Sequence, residues 1–240
     1  MKLLSSYSKN YYSQNGEDGI LKYLLHRINR LESNNYYVEF GAWDGKHFSN
    51  TFALLKINPH SKAIYIEGDI LKFQELLVTK EKFPNIVAIN KYVDYKVGSS
   101  NSLENILANI KDIPMDFDVL SIDIDSFDLE VWSSLDSFSP KIVVIEINSS
   151  YPPGPIFMKS QGGPGASFTA TFDLAKNKGY SLVCHTGNLI FLRSDLVSIS
   201  GIAEEFLIDS PDLYLKPKKF QIIKTFRGLL KTKLNTSLKK

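Results

Sequence analysis

Hydrophobic positions along this chain follow two periods that take turns. Ile20, Tyr23, Leu24, Ile28 and Leu31 recur at helical spacing behind Gly16-Glu17-Asp18, which predicts an amphipathic helix over 17–31. Tyr36–Phe40 is a short apolar run closed by Gly41, the mark of a strand. Ser49-Asn50-Thr51 reads as the cap of a helix through Lys56. The same alternation continues with strands at 63–66, 86–89, 119–124 and 142–147. Helices are predicted at 71–82, at 102–110 behind Ser102 as a cap, and from the fourth strand to about Leu135. Strands alternating with helices imply right-handed crossovers and a parallel sheet. The fourth and fifth strands are almost unbroken apolar runs, as in central strands covered on both faces.

The last third of the pattern differs. Residues 151–165 carry Pro152, Pro153, Gly154, Pro155, Gly162, Gly163, Pro164 and Gly165, a long loop of the kind that serves as a lid or binding loop. A helix is predicted over 166–178, closed by Gly179. Residues 180–184 and 189–192 flank His185-Thr186-Gly187-Asn188 as an antiparallel hairpin. The organisation predicted is an N-terminal helical segment over 1–35, a main domain over 36–200, and a basic, partly helical tail over 201–240.

Composition changes this picture little. Apolar residues make up 43% and charged residues 22%, an ordinary globular balance for one large α/β domain. Cys184 is the single cysteine, so an internal disulfide is excluded, and a buried thiol is expected. No apolar run reaches the length of a membrane span. The apolar start turns polar at Ser5 and Ser6, too short for a signal peptide, which predicts a cytoplasmic location. Charge is unevenly spread: residues 213–240 hold nine Lys or Arg and no Asp or Glu, whereas the rest holds 19 basic and 26 acidic side chains. The tail, with Leu230, Leu234 and Leu238 as an apolar stripe, suits an anionic membrane surface, here the inner face. The acidic body argues against nucleic acid as a partner.

Candidate chemistry gathers at the strand ends, where ligands of open parallel sheets sit. The first strand ends in Glu39, Gly41, Ala42, Trp43, Asp44 and Gly45; the second in Glu67-Gly68-Asp69. The third ends near Asn90, the fourth in Asp123-Ile124-Asp125, and the fifth in Glu146-Ile147-Asn148. Gly41 and Gly45 permit a sharp turn and a close backbone approach. Glu67 stands 22 residues after Gly45, placed to accept hydrogen bonds from both hydroxyls of a ribose. The first loop has neither the dinucleotide fingerprint nor the phosphate cradle of a P-loop. Its acidity through Glu39 and Asp44 repels pyrophosphate and suits a ligand with a cationic end, such as an α-amino group or a sulfonium. Candidate bases are Asp123, Asp125, Glu146 and His185. Asp123, Asp125 and Asn148 together offer hard oxygen ligands for a divalent metal. The bland alternatives are helix caps for the two aspartates, and an ordinary hairpin residue for His185.

Val38-Glu39-Phe40-Gly41-Ala42-Trp43-Asp44-Gly45 resembles the first motif of FkbM-like class I S-adenosylmethionine-dependent methyltransferases. Ser13-Gln14-Asn15-Gly16-Glu17-Asp18 is similar to a segment preceding that motif in related chains. Ile66-Glu67-Gly68-Asp69, Ser121-Ile122-Asp123-Ile124-Asp125 and Val144-Ile145-Glu146-Ile147-Asn148 fall where the later strand motifs belong. The stretch Ser121 to Ser126 departs from the lysine-isoleucine-aspartate pattern of many relatives. The resemblance spans about residues 10–195. It implies a Rossmann-like α/β fold with a mostly parallel seven-stranded sheet, helices on both faces and an antiparallel edge strand. It implies S-adenosylmethionine at the tips of strands one and two. Gly41, Ala42 and Asp44 would lie on its methionine part, Glu67 on the ribose and the loop after Asn90 near the adenine. Glu39, Gly45, Asn50 and Asp123 complete the expected cofactor site, with Ser49 beside Asn50 near the methionine carboxylate. The acceptor implied is a sugar or glycan hydroxyl, or a similar small metabolite. Two other readings stay open: a metal-dependent glycosyltransferase using Asp123 and Asp125 as an Asp-x-Asp motif, and a cofactor-binding module without catalysis.

Overall fold

The computed structural model describes residues 1–124 and 126–216. Asp125 and residues 217–240 lie outside the described part, and with them most of the predicted basic tail. The elements run α1 (Glu17–Arg27), β1 (Tyr36–Phe40), α2 (Phe52–Ile57), β2 (Lys62–Glu67), α3 (Ile70–Lys82), β3 (Ile86–Asn90), α4 (Leu103–Ala108), β4 (Val119–Ile122) and α5 (Asp128–Ser133). They continue with β5 (Ile142–Glu146), α6 (Phe168–Asn177), β6 (Tyr180–His185), β7 (Asn188–Arg193), α7 (Ser194–Ser200) and α8 (Ile202–Glu205).

Side chains of a strand alternate between faces, and here each face buries its own core. Val38, Phe40, Ile64, Ile66, Leu120, Ile122, Val143 and Ile145 pack on one side against α4, α5 and α6, with Trp132 and Phe168 among the large buried groups. Tyr37, Ala63, Tyr65, Val119, Ile142 and Val144 pack on the other against α1, α2 and α3 through Ile20, Leu24, Phe52 and Leu76. The result is a three-layer α/β sandwich. The strand order is β3-β2-β1-β4-β5-β7-β6. β1 to β5 pair in parallel, β7 pairs antiparallel with β5, and the edge strand β6 pairs antiparallel with β7. This is a Rossmann-like α/β fold, with a mostly parallel seven-stranded sheet, helices on both faces and an antiparallel edge strand. Strand order reverses between β1 and β4, which makes their shared tip the place where a crevice opens.

Local chemistry sets where the elements stop. Asp69 caps α3 by accepting from the Leu71 and Lys72 amides, Ser102 caps α4 through the Asn105 amide, and Ser167 caps α6 through the Ala170 amide. Ser49, rather than Thr51, serves α2: its Oγ accepts from the Phe52 amide at 3.0 Å. Two elements are shorter than their apolar patterns. α1 ends at Arg27, where Asn29 turns left-handed (φ 55°) and frees Arg30 to reach Asp118 at 2.8 Å. β4 ends at Ile122, because the Ile124 amide donates to Asp128 Oδ1 at 2.8 Å and leaves the ladder.

The flanking segments join the same cores. Leu4 and Leu25 are fully buried, as are Ile202 and Phe206. Lys2 pairs with Phe206 in an isolated bridge, and Asp209 Oδ1 accepts from the Leu182 amide at 2.8 Å. Residues 201–216 thus pack against the body. Among the described residues, no helix is long and apolar enough to cross a membrane.

Candidate functional site at the strand tips

Register brings the polar strand ends to one edge of the sheet. Phe40 lies beside both Ile66 and Ile122, Glu67 pairs with Asn90, and Glu146 pairs with Asn188. The residues just after these positions are Gly41, Gly68, Asp123 and Ile147. Gly41 turns left-handed (φ 77°), and a Cβ there would stand 1.9 Å from the Asp123 carbonyl oxygen. Only a glycine lets the tips of β1 and β4 close to this distance. The Gly41 and Ala42 amides both donate to the Ile66 carbonyl, at 3.0 and 3.2 Å, and tie the β1 turn to β2.

Glu67 is the centre of this arrangement. It is 6% exposed. Its Oε2 accepts from the Trp43 amide and its Oε1 from the Asp69 amide, both at 2.8 Å. An ionised carboxylate has about four acceptor sites, so these two bonds fix its plane and leave lone pairs for a ligand. No ion pair reaches it among the described residues. Trp43 carries a positive φ of 47° to make its bond. Its indole donates to Glu75 Oε2 at 2.9 Å and lies under the Lys72 ammonium at 5.2 Å. Asn90 is exposed and donates to the carbonyls of Glu67 and Gly68, at 2.8 and 3.2 Å. The Tyr92 ring covers Gly68 so closely that a Cβ there would meet it at 2.4 Å. Tyr92 was not among the expected site residues, and Trp43 and Asp69 stood at the strand ends without an assigned contact to Glu67. The Asp69 cap was readable from Glu67-Gly68-Asp69 ahead of an apolar run; the Trp43 backbone contact had no sequence signal.

Several expected ligand-facing residues turn inward. Glu39 is 5% exposed, and its carboxylate is engaged by the loop before α2. It accepts from Ser49 Oγ at 2.8 Å, from Thr51 Oγ1 at 2.5 Å, and from the Asn50 and Thr51 amides at 3.2 Å. Burial pushes its carboxyl above the usual carboxylate range, against the opposing effect of these bonds. Burial and the nearby Glu39 also raise the Tyr65 phenol, whose oxygen lies 3.0 Å from Thr51 Oγ1. Asn50 is 3% exposed and donates to Ser121 Oγ at 3.0 Å, bridging the loop to β4. Gly45 faces Tyr65 and Leu76, a packing position. Glu39, Asn50 and Gly45 therefore build the loop from behind. Asp44, half-buried, accepts from the Lys46 and His47 amides at 2.9 and 2.6 Å and holds the turn in front.

Asp123 and Glu146 are half-buried at the tips of β4 and β5. Asp128 shapes the loop between β4 and α5, accepting from the Ile124 and Ser126 amides at 2.8 and 3.0 Å. Asn148 binds its own loop: it donates to the Pro164 carbonyl at 2.9 Å and accepts from the Ser150 amide at 3.1 Å. Among the described residues, no group of three or more His, Cys, Asp or Glu is arranged to hold a metal.

His185 leaves the set of candidate bases. It is 1% exposed at the end of β6. Nδ1 accepts from the Leu215 amide at 2.7 Å, and Nε2 meets Ser149 Oγ at 3.0 Å, which in turn donates to the Gly187 carbonyl at 3.1 Å. Tyr214 stacks on the ring at 5.4 Å. Burial lowers its pKa to about 4. A buried ring with both nitrogens engaged is a structural tie. Cys184 beside it is buried as expected, its thiol pushed up to about 12 by burial.

The segment ahead of α1 also reaches this edge. Glu17 Oε1 accepts from Thr186 Oγ1 at 2.6 Å and from Asn188 Nδ2 at 3.5 Å, while its Oε2 accepts from the Asn15 amide at 2.8 Å. Asp18 Oδ2 gathers the amides of Tyr11, Tyr12 and Ser13 within 2.9 Å. Ser13 to Asp18 thus form a clasp on the hairpin, next to the end of β5.

No protein-family model matches the chain, and no curated protein matches it. Similar solved structures include a precorrin-6y C5,15-methyltransferase from Geobacter metallireducens GS-15, at 11% identity, with 77% of this chain and 92% of that one covered and a TM-score of 0.44. A SAM-dependent methyltransferase from Aquifex aeolicus is 12% identical, with 72% and 89% covered and a TM-score of 0.45. A putative caffeoyl-CoA O-methyltransferase from Staphylococcus aureus is 14% identical, with 72% and 79% covered and a TM-score of 0.43.

Proposed function

We propose that the chain is an S-adenosylmethionine-dependent methyltransferase that acts on a hydroxyl oxygen of a sugar or glycan acceptor. The observation that carries this reading is Glu67. It is a buried carboxylate at the tip of β2, held by two backbone amides, with no ion pair among the described residues, beside the Gly41 turn at the switch in strand order. The residues fit the cofactor. Glu67 keeps lone pairs for two ribose hydroxyls. The bare backbone at Gly41 allows close approach, and Asp44 keeps the β1 loop acidic for a cationic ligand. Asn90 and the Tyr92 ring border the side where an adenine would lie.

The bound cofactor supplies a methyl carbon already activated by its sulfonium. What remains for the chain is to align the acceptor oxygen, exclude water and remove a proton. Alignment contributes about 7–11 kcal/mol in favourable cases. A general base contributes about 10²–10⁴-fold. Positioning is the larger of the two, so loss of the base leaves residual turnover. Asp123 and Glu146 are the described candidates for that base, and Asp125 is the third by sequence. The 151–165 loop, anchored by Asn148 to Pro164, borders the acceptor side.

Calorimetry with S-adenosylmethionine, and separately with a nucleotide sugar and Mn²⁺, tests the assignment. Binding of the first alone supports it; binding of the second alone replaces it with a glycosyltransferase. If S-adenosylmethionine binds, release of S-adenosylhomocysteine with glycan acceptors separates an enzyme from a non-catalytic module. Glu146→Gln should then slow turnover by about 10²–10⁴-fold with cofactor affinity retained. An unchanged rate assigns the base elsewhere.

A further inference from the structure

A cavity of about 330 Å³ lies between α5 and α6 and is bordered by the loops that follow β3 and β5. Tyr95, Leu129, Met158, Ala170 and Leu174 give it an apolar wall, and Glu130 and Asp136 are the charged groups that the described residues supply. The size and the apolar lining with few polar groups are those of a small-molecule site.

The two carboxylates differ. Asp136 is exposed and has Lys178 3.7 Å away. Glu130 is 8% exposed, and its Oε1 accepts from the Ser160 amide at 2.6 Å. Its Oε2 is buried without a hydrogen-bond partner among the described residues. A buried acceptor left unmatched costs roughly 1–3 kcal/mol, and more when charged. The Ser160 amide accounts for one oxygen of this carboxylate and gives no role to the other. Among the described residues, the lining includes no Lys, Arg or His to answer the charge. Tyr95, stacked on Phe127 at 4.6 Å, adds an aromatic face, which favours a cation over a neutral donor.

We infer that this cavity is a binding site for a small organic ammonium compound with an apolar body, its charged nitrogen answering Glu130. Met158 and Ser160 belong to the Pro/Gly-rich loop, so an occupant would also hold that loop against α5. Met158 and Ser160 belong to the loop that the methyltransferase reading places on the acceptor side, so this site borders that one, but Glu130 has no part in the cofactor assignment.

Benzylamine, benzyl alcohol and benzoate serve as probes of matched shape and different charge. Titration of each into the full chain at pH 7 is followed by the NMR shift of the Ser160 amide and by the melting temperature. Benzylamine should shift the amide saturably and raise the melting temperature, benzyl alcohol should do so at least tenfold more weakly, and benzoate should do neither. Glu130→Gln should weaken benzylamine at least tenfold. Met158→Trp, which fills the cavity and leaves Glu130 in place, should abolish binding and carries the test if the first variant does not fold. No response to benzylamine at millimolar concentration, an equal response to benzoate, or unchanged affinity in a folded Glu130→Gln or Met158→Trp overturns the inference. S-adenosylmethionine calorimetry on the same samples keeps the two assignments apart, since either can fail alone.

Discussion

Asp118 and Glu67 are both nearly buried carboxylates, 1% and 6% exposed, at opposite ends of the parallel strands. Asp118, ahead of β4, is met by Arg30 at 2.8 Å and Lys141 at 3.5 Å, and its Oδ2 accepts from the Tyr36 amide at 2.9 Å. Glu67, at the far end of β2, is met by the Trp43 and Asp69 amides and by no cation among the described residues. The first end neutralises its charge within the fold. The second keeps a preorganised charge with lone pairs to spare. On the proposed reading, the first end of the sheet is built for the fold and the second for a ligand.

Four changes break or sharpen this contrast, in falling order of effect. Asp118→Ala strands two cations and the Tyr36 amide, and should cost about 3–5 kcal/mol in urea unfolding. Cofactor affinity of the folded fraction should be unchanged; a large loss of affinity would mean that the two ends are coupled. His185 tests the tip edge itself, where a titratable group is closed off rather than open. Its folded pKa is depressed to about 4 from an ordinary 6.5. The unfolded chain therefore binds the proton more readily, and the stabilisation is complete above about pH 6.5 and lost as pH falls towards 4. The total is about 3 kcal/mol. Unfolding between pH 7 and 4 should show this slope, and His185→Gln should flatten it. Gly41→Ala puts a Cβ against the Asp123 carbonyl in a left-handed turn, and should cost about 1–3 kcal/mol along with cofactor binding. A melting temperature matching wild type would show that the β1–β4 tips close less tightly than described. Glu67, whose effect is read in affinity with stability nearly unchanged, comes last, below.

Much of the frame was legible because hydrophobic period is a local property. All seven strands and their order along the chain follow from alternation, and the helices between them from spacing and caps. Ends were less legible: the apolar positions Ile28 and Leu31 extend the α1 pattern past Arg27, but Asn29 and the pull of Asp118 on Arg30 stop it. The tips were found because polar residues had no packing reason to end apolar runs. What the sequence did not settle was the partner of each group. Glu39 and Glu67 read alike, as acids closing a strand, yet Glu39 points to the α2 face, where Ser49, Asn50 and Thr51 claim it. His185 looked open in a hairpin because Leu215, thirty residues on, supplies the amide that closes it. Glu130 carries no sequence signal of its own, and only the folded chain leaves its second oxygen unmatched among the described residues.

The account rests on Glu67 as the anchor of a ribose, and isothermal titration of S-adenosylmethionine into wild type and Glu67→Gln tests it most directly. The amide keeps the shape and removes the charge, so affinity should fall about 10- to 100-fold, or about 1.5–3 kcal/mol, with a near-native melting temperature. Wild-type affinity in the variant, or no binding to wild type at all, would contradict it.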